Sequence, residues 1–191
     1  LVMYWKGSLK IKKCLLVKFV KLIQTALLFM CLSNILMAQF PNGYPKNYFM
    51  FPINPGQRNY LAANMGELRP NHFHGGMDIK TGGQIGLPVH ACADGYVSRL
   101  RVSTNGYGNT LYITHPNGLV TVYAHLDRFN ASITAYSLEQ LYALEQTDID
   151  ILIPENTLPI KKGEIIAKSG NTGGSSGPHL NFENHDKKEN V

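Results

Sequence analysis

The chain has 191 residues, 44% hydrophobic and 16% charged, with a formal charge of +5. It is too apolar for a disordered chain, and its 18 Gly and 10 Pro show no collagen period. Three cysteines, Cys14, Cys31 and Cys92, exclude a disulfide framework and a four-thiolate zinc site. A metal would have to be held by His and carboxylate.

The charge is uneven along the chain. Lys6, Lys10, Lys12, Lys13, Lys18 and Lys21 stand in a stretch of 38 residues with no acid, and the remainder holds 12 basic and 13 acidic residues, a net of −1. That balance gives no global electrostatic case for a nucleic-acid partner. The basic start leads into an apolar run from Leu22 to Leu36, broken only by Gln24, Thr25, Ser33 and Asn34. This pattern reads as a secretory signal at residues 1–38, cleaved after Ala38. The polar interruptions argue against a transmembrane anchor, which needs about 20 largely apolar residues. Met30 stands where a lipidated Cys31 would need a small residue. The expected location is therefore outside the cytoplasm, in the periplasm or cell envelope, with Cys92 as the single cysteine and no intrachain disulfide.

Residues 39–67, with Pro41, Pro45, Pro52 and Pro55, read as an extended N-terminal arm before a domain at 68–191. Within that domain, short β-branched and aromatic runs are separated by Gly, Asn and Pro. Gly95–Val102, Asn109–Thr114, Leu119–His125, Gly163–Lys168 and Pro178–Asn184 read as strands, and the Asn117-Gly118 pair as a hairpin turn. Tyr136–Gln146 reads as a short helix. It lies in an insertion of about residues 131–160 that ends in acidic Asp148, Asp150 and Glu155. The expected fold is mainly β, a small antiparallel sandwich or barrel with a short helical insertion. Residues 169–177 are glycine-rich without the Gly-Lys-Ser/Thr ending of a phosphate loop, and read as a flexible groove wall beside the insertion. His115 in the hairpin turn reads as solvated, His90 and Cys92 as packing residues, and Asn130-Ala-Ser132 as a glycosylation acceptor by pattern only.

The chemistry-bearing residues fall in three segments. His74-x-Gly76-x-Asp78 places imidazole and carboxylate around a glycine that permits close backbone approach, and both are zinc donors. Val122-Tyr-Ala-His-Leu126 ends a strand on His125. In His179-Leu-Asn-Phe-Glu183, positions 179, 181 and 183 share one strand face, about 6.6 Å apart per step. A lectin-like β sandwich would share the strand pattern but leave these segments unexplained.

Together with Ala93-Asp-Gly-Tyr-Val97, Gly170-Asn-Thr-Gly173 and Gly177-Pro-His-Leu180, these motifs resemble the lysostaphin and LytM type zinc metallopeptidases, which cleave peptide bonds in bacterial peptidoglycan. The resemblance covers roughly Asn71 to Asp186 and implies the LytM-type duplicated hybrid motif fold. It also implies Zn2+ as cofactor, peptidoglycan stem peptides as substrate, metal binding by His74 and Asp78, and catalysis by His125 and His179. The family's third metal ligand is the second His of an H-x-H pair, and here that position is Asn181. An amide oxygen is a weaker zinc donor than imidazole, and the exchange removes a ring nitrogen whose hydrogen bond would fix the ligand's orientation. Of the two other histidines that could replace it, His72 is nearer the site in sequence, while His185 lies about 13 Å from Asn181 by strand rise. The alternative is a catalytically impaired domain that binds peptidoglycan or activates a cell-wall amidase. The family pattern also implies further sequence after Glu183, so the chain is expected to be truncated at its C-terminus.

Overall fold

The computed structural model describes residues 20, 21, 23, 24, 46–70 and 72–186. The chain divides into two units, Leu1–Lys46 and Asn47–Val191. In the first, Val20, Lys21, Ile23 and Gln24 are helical; the expected signal and its cleavage position lie almost wholly outside the described residues. No helix among the described residues is long and apolar enough to cross a membrane.

The second unit is antiparallel β with one helix: β1 (Leu61–Ala63), β2 (Met77–Lys80), β3 (Pro88–His90), β4 (Gly95–Val102), β5 (Asn109–Thr114), β6 (Val120–Phe129), α1 (Ala131–Leu144), β7 (Ile149–Leu152), β8 (Pro159–Ile160), β9 (Ile165–Ser169) and β10 (His179–His185). The main path through the sheet runs β1-β2-β10-β6-β5-β4-β7, with β8 also on β4 and a side arm of β3 and β9 joined to β6. Strand β6 belongs to both arms. Its first half pairs with β10 as far as Ala124, and its second half pairs with β9 from Leu126. The residue between is His125, with φ of 58°. A positive φ is uncommon for a side chain with a Cβ, and here it marks the joint at which the strand changes partner. Both arms feed one core, in which Val89 and Ile166 cluster with Val97, Leu100, Leu111, Ile113 and Tyr123, all essentially inaccessible to water.

Several elements differ from the sequence expectations. Residues 47–67 do not stand apart as an arm: Ile53 is fully buried in the core, and β1 pairs with β2. The helix begins at Ala131, five residues earlier than its apolar spacing suggests, because the Asn130 side chain accepts a hydrogen bond from Ile133 N and caps it. Within the insertion, β7 and β8 both pair with β4, and Asp150 forms a two-pronged ion pair with Arg99 at 2.6 Å. Strand β7 thus lies at one end of the sheet path, with β1 and β2 at the other.

His115 is buried, not solvated. Its Nδ1–H donates to the Asp94 carbonyl (2.8 Å), and its Nε2 lies 2.8 Å from Thr121 Oγ1, which in turn bonds Tyr123 Oη. Cys92 is a core residue as expected. Burial raises its thiol pKa to about 12, which makes it a poor nucleophile.

Candidate active site

The β2–β10 register brings the first and third motifs together. Asn181 stands directly opposite Asp78, and His179 opposite Lys80. On its other side β10 pairs with β6, Asn181 against Ala124, which puts His125 one residue along. Gly76 permits this approach. A methyl group there would lie 2.6 Å from Asn181 Oδ1, Glu183 Cγ and the Phe182 carbonyl, distances that side chains do not tolerate.

His74, Asp78, His125 and Asn181 are all buried. Asp78 is the hub: its Oδ1 lies 3.1 Å from His74 Nε2 and 3.3 Å from His179 Nε2, and its Oδ2 accepts from Arg69 at 2.9 Å. Burial alone would raise the Asp78 pKa. The His179 hydrogen bond and the charges of His179, His74 and Arg69 outweigh it and hold the carboxyl below its ordinary value. The same Asp78 hydrogen bond raises the His179 pKa, against burial. At His125 burial prevails and lowers the pKa, despite a backbone acceptor.

The three imidazoles are oriented alike. His74 Nδ1–H donates to the Asn64 carbonyl (3.0 Å), His125 Nδ1–H to Thr172 O (2.8 Å) and His179 Nδ1–H to Gly177 O (2.8 Å). Each therefore keeps Nε2 for the site. Two of these carbonyls belong to the glycine-rich loop, which is not a flexible wall. Thr172 Oγ1 accepts from Asn109 N and donates to Leu126 O, Gly174 N donates to Gly106 O, and Gly173 packs against Gly108 too closely for a Cβ. The loop is pinned where β6 bends, and it orients both rings. His125 and His179 end with ring centroids 4.8 Å apart.

Asn181 does not lose the bond that would orient it. Its Nδ2 donates to Glu183 Oε1 (3.0 Å), and its Oδ1 is buried with no hydrogen-bond partner. A buried acceptor left open costs roughly 1–3 kcal/mol, so a cation is its natural complement. Among the described residues, no three His, Cys, Asp or Glu side chains are grouped to hold one ion. His74 Nε2, Asp78 Oδ1 and the open Asn181 Oδ1 are of donor types suited to a divalent metal. His72, the nearer alternative ligand by sequence, is exposed, while His74 is buried. His185 serves elsewhere, donating from Nε2 to Glu183 Oε2 at 2.7 Å. Two neighbours escaped the sequence reading. Glu183 was legible from its shared face with 179 and 181, but Tyr107 and Arg69 come from loops with no local signature.

Residues 72–140 match the description Peptidase family M23. This part of the chain thus resembles the M23 peptidases. The chain is similar to an uncharacterized metalloprotease of Haemophilus influenzae, with 35% identity over 134 residues, covering 70% of this chain and 22% of the relative. It is also similar to the peptidoglycan DD-endopeptidase ShyB of Vibrio cholerae, with 34% identity over 110 residues, covering 58% of the chain and 20% of that protein. The chain thus spans about a fifth of the length of these relatives. Among solved structures, the fold is shared with a zinc-containing peptidase from Vibrio cholerae at a TM-score of 0.54 and 27% identity, over 75% of this chain and 38% of that one.

Proposed function

We propose that this domain is an exported zinc metalloendopeptidase that hydrolyses peptide cross-links of peptidoglycan. The observation that carries the proposal is the convergence of His74, Asp78 and His179 at one carboxylate oxygen, beside an amide oxygen left open at Asn181. Similarity to the peptidoglycan DD-endopeptidase ShyB of Vibrio cholerae supports the substrate class. His74 Nε2, Asp78 Oδ1 and Asn181 Oδ1 would hold the zinc. When bound, zinc supplies Lewis acidity toward a scissile carbonyl and makes water more acidic.

The remaining chemistry falls to the two rings held by the loop. His179 takes the proton of the attacking water at Nε2, since its Nδ1–H is committed to Gly177 O. His125 stabilises the developing oxyanion from Nε2. Because Nδ1–H is committed to Thr172 O, donation from Nε2 requires the imidazolium, which burial disfavours in the resting site and which the developing oxyanion would have to stabilise. Arg69, on the far oxygen of Asp78, leaves Oδ1 to face the imidazoles.

The test is zinc content and release of peptides from muropeptides by the purified chain, beside Asn181→His. The expected result is stoichiometric zinc and cleavage by the unaltered chain. Zinc and cleavage in Asn181→His alone would identify an impaired domain, one that binds peptidoglycan or activates a cell-wall amidase. Neither activity in either protein would overturn the site assignment.

A further inference from the structure

Glu183 is one of the most enclosed carboxylates in the described chain, 3% exposed, and its oxygens are all engaged. Oε1 accepts from Tyr107 Oη at 2.7 Å and from Asn181 Nδ2 at 3.0 Å, and Oε2 accepts from His185 Nε2 at 2.7 Å. A carboxylate in this setting offers only acceptors. The Asn181 amide has two orientations of nearly equal shape. In one, NH2 meets Glu183 and the carbonyl oxygen turns toward Gly76 and the His74–Asp78 turn. In the other, the oxygen would face Glu183 Oε1 with no proton between them, and two N–H groups would point at the donor set.

We infer that Glu183 is a positioning residue: held by Tyr107 and His185, its carboxylate forces the Asn181 NH2 toward itself and so presents Oδ1 as the third metal donor. The inference rests on the metal site proposed above and adds what makes an amide usable in it. A carboxylate at 183 is required because a neutral amide there can donate as well as accept, which removes the preference for one orientation. Partners that orient metal ligands typically change metal affinity by about 10–100-fold when lost.

The deciding variant is Glu183→Gln, nearly identical in shape, with Zn2+ affinity measured by competition with a chromophoric chelator and Co2+ absorption as the spectroscopic readout. The expected result is a loss of at least about tenfold in affinity, with an altered Co2+ spectrum. The same substitution is then made in an Asn181→Asp background. There residue 181 has no NH2 to misdirect and repels Glu183, so Glu183→Gln should tighten zinc binding rather than weaken it. A merely structural role would weaken binding in both backgrounds. Unchanged affinity in Glu183→Gln, or weakening in both, overturns the inference while leaving the metal site standing. If the unaltered chain binds no zinc, the proposed function and the inference fall together. Should Glu183→Gln melt before binding is measured, Tyr107→Phe replaces it: a loss of a few-fold is expected, and none overturns the inference.

Discussion

Adding one methyl group at Gly76 should injure the site and the fold together, while the same change one residue earlier should not. A Cβ on Gly76 would sit 2.6 Å from Asn181 Oδ1, Glu183 Cγ and the Phe182 carbonyl, whereas one on Gly75 would come no nearer than 3.4 Å to Glu183 Oε1. Ordinary contact begins at 3.4 Å, so Gly76→Ala requires β10 to recede from the 74–78 turn by about 0.8 Å. The Phe182 carbonyl is backbone and cannot swing aside as a side chain does. Overpacking of this kind costs about 1–3 kcal/mol, or roughly 2–10 °C in Tm for a domain of this size. The same shift is several times the ~0.2 Å tolerance of a metal ligand, so zinc affinity should fall by more than tenfold. Neither glycine has the left-handed φ that alanine avoids, so the contrast is purely steric. Thermal unfolding and chelator competition on the two alanine variants would check this. Equal melting temperatures, or a greater loss in Gly75→Ala, would refute the packing argument.

Two further outcomes follow from the same geometry. His125→Ala should leave zinc affinity unchanged, because the ring is not among the three donors, yet reduce peptide release by roughly 10²–10³-fold as expected for removal of an oxyanion contact; a parallel fall in zinc content would move His125 into the ligand set. His115 should impose a pH dependence on stability. Burial lowers its pKa below the ordinary 6.5 despite the Asp94 carbonyl, so the unfolded chain binds the proton more readily than the folded one. Its contribution is therefore present above about pH 6.5 and is lost as the pH falls from there through the folded value. Melting temperatures between about pH 8 and 5 should decline less steeply in His115→Gln than in the unaltered chain, and identical slopes would contradict the assignment.

The parts of the fold written locally were legible in the sequence. Asn117-Gly118 marks the β5–β6 turn, where Gly118 has φ of 85° and donates to the His115 carbonyl, and the β-branched runs give β4, β5, β9 and β10 to within one or two residues. The misreadings share a cause: the deciding partner is remote in sequence. His115 occupies a turn, which suggested exposure, but the Asp94 carbonyl and Thr121 hydroxyl that enclose it come from neighbouring strands and loops. The 169–177 segment looked flexible from its glycines, yet Gly170 and Gly173 are there because the loop packs on Asp127, Gly106 and Gly108 with no room for side chains at those two positions. Residues 47–67 looked like an arm from their prolines, although their Asn64 carbonyl orients His74. For the site, the motifs named residues that the strand pairing brings together, but nothing near Glu183 in the sequence announces Tyr107 or Arg69.

Asn181 is less disruptive than its donor chemistry suggests. A histidine ligand needs one ring nitrogen on the metal and a proton acceptor for the other. Position 183 supplies that acceptor, and the Asn181 NH2 uses it in the same sense, donating to Glu183 Oε1. The exchange therefore keeps the orienting hydrogen bond and changes only the atom turned inward, from imidazole nitrogen to amide oxygen. It also keeps the formal charge of the donor set at the −1 of Asp78. What changes is the match between metal and donor: one nitrogen and two oxygens favour harder ions more than two nitrogens and one oxygen do. The effect to expect is thus a site that retains its geometry and holds zinc more weakly, with the preference among divalent metals moved toward oxygen-seeking ions rather than the site abolished.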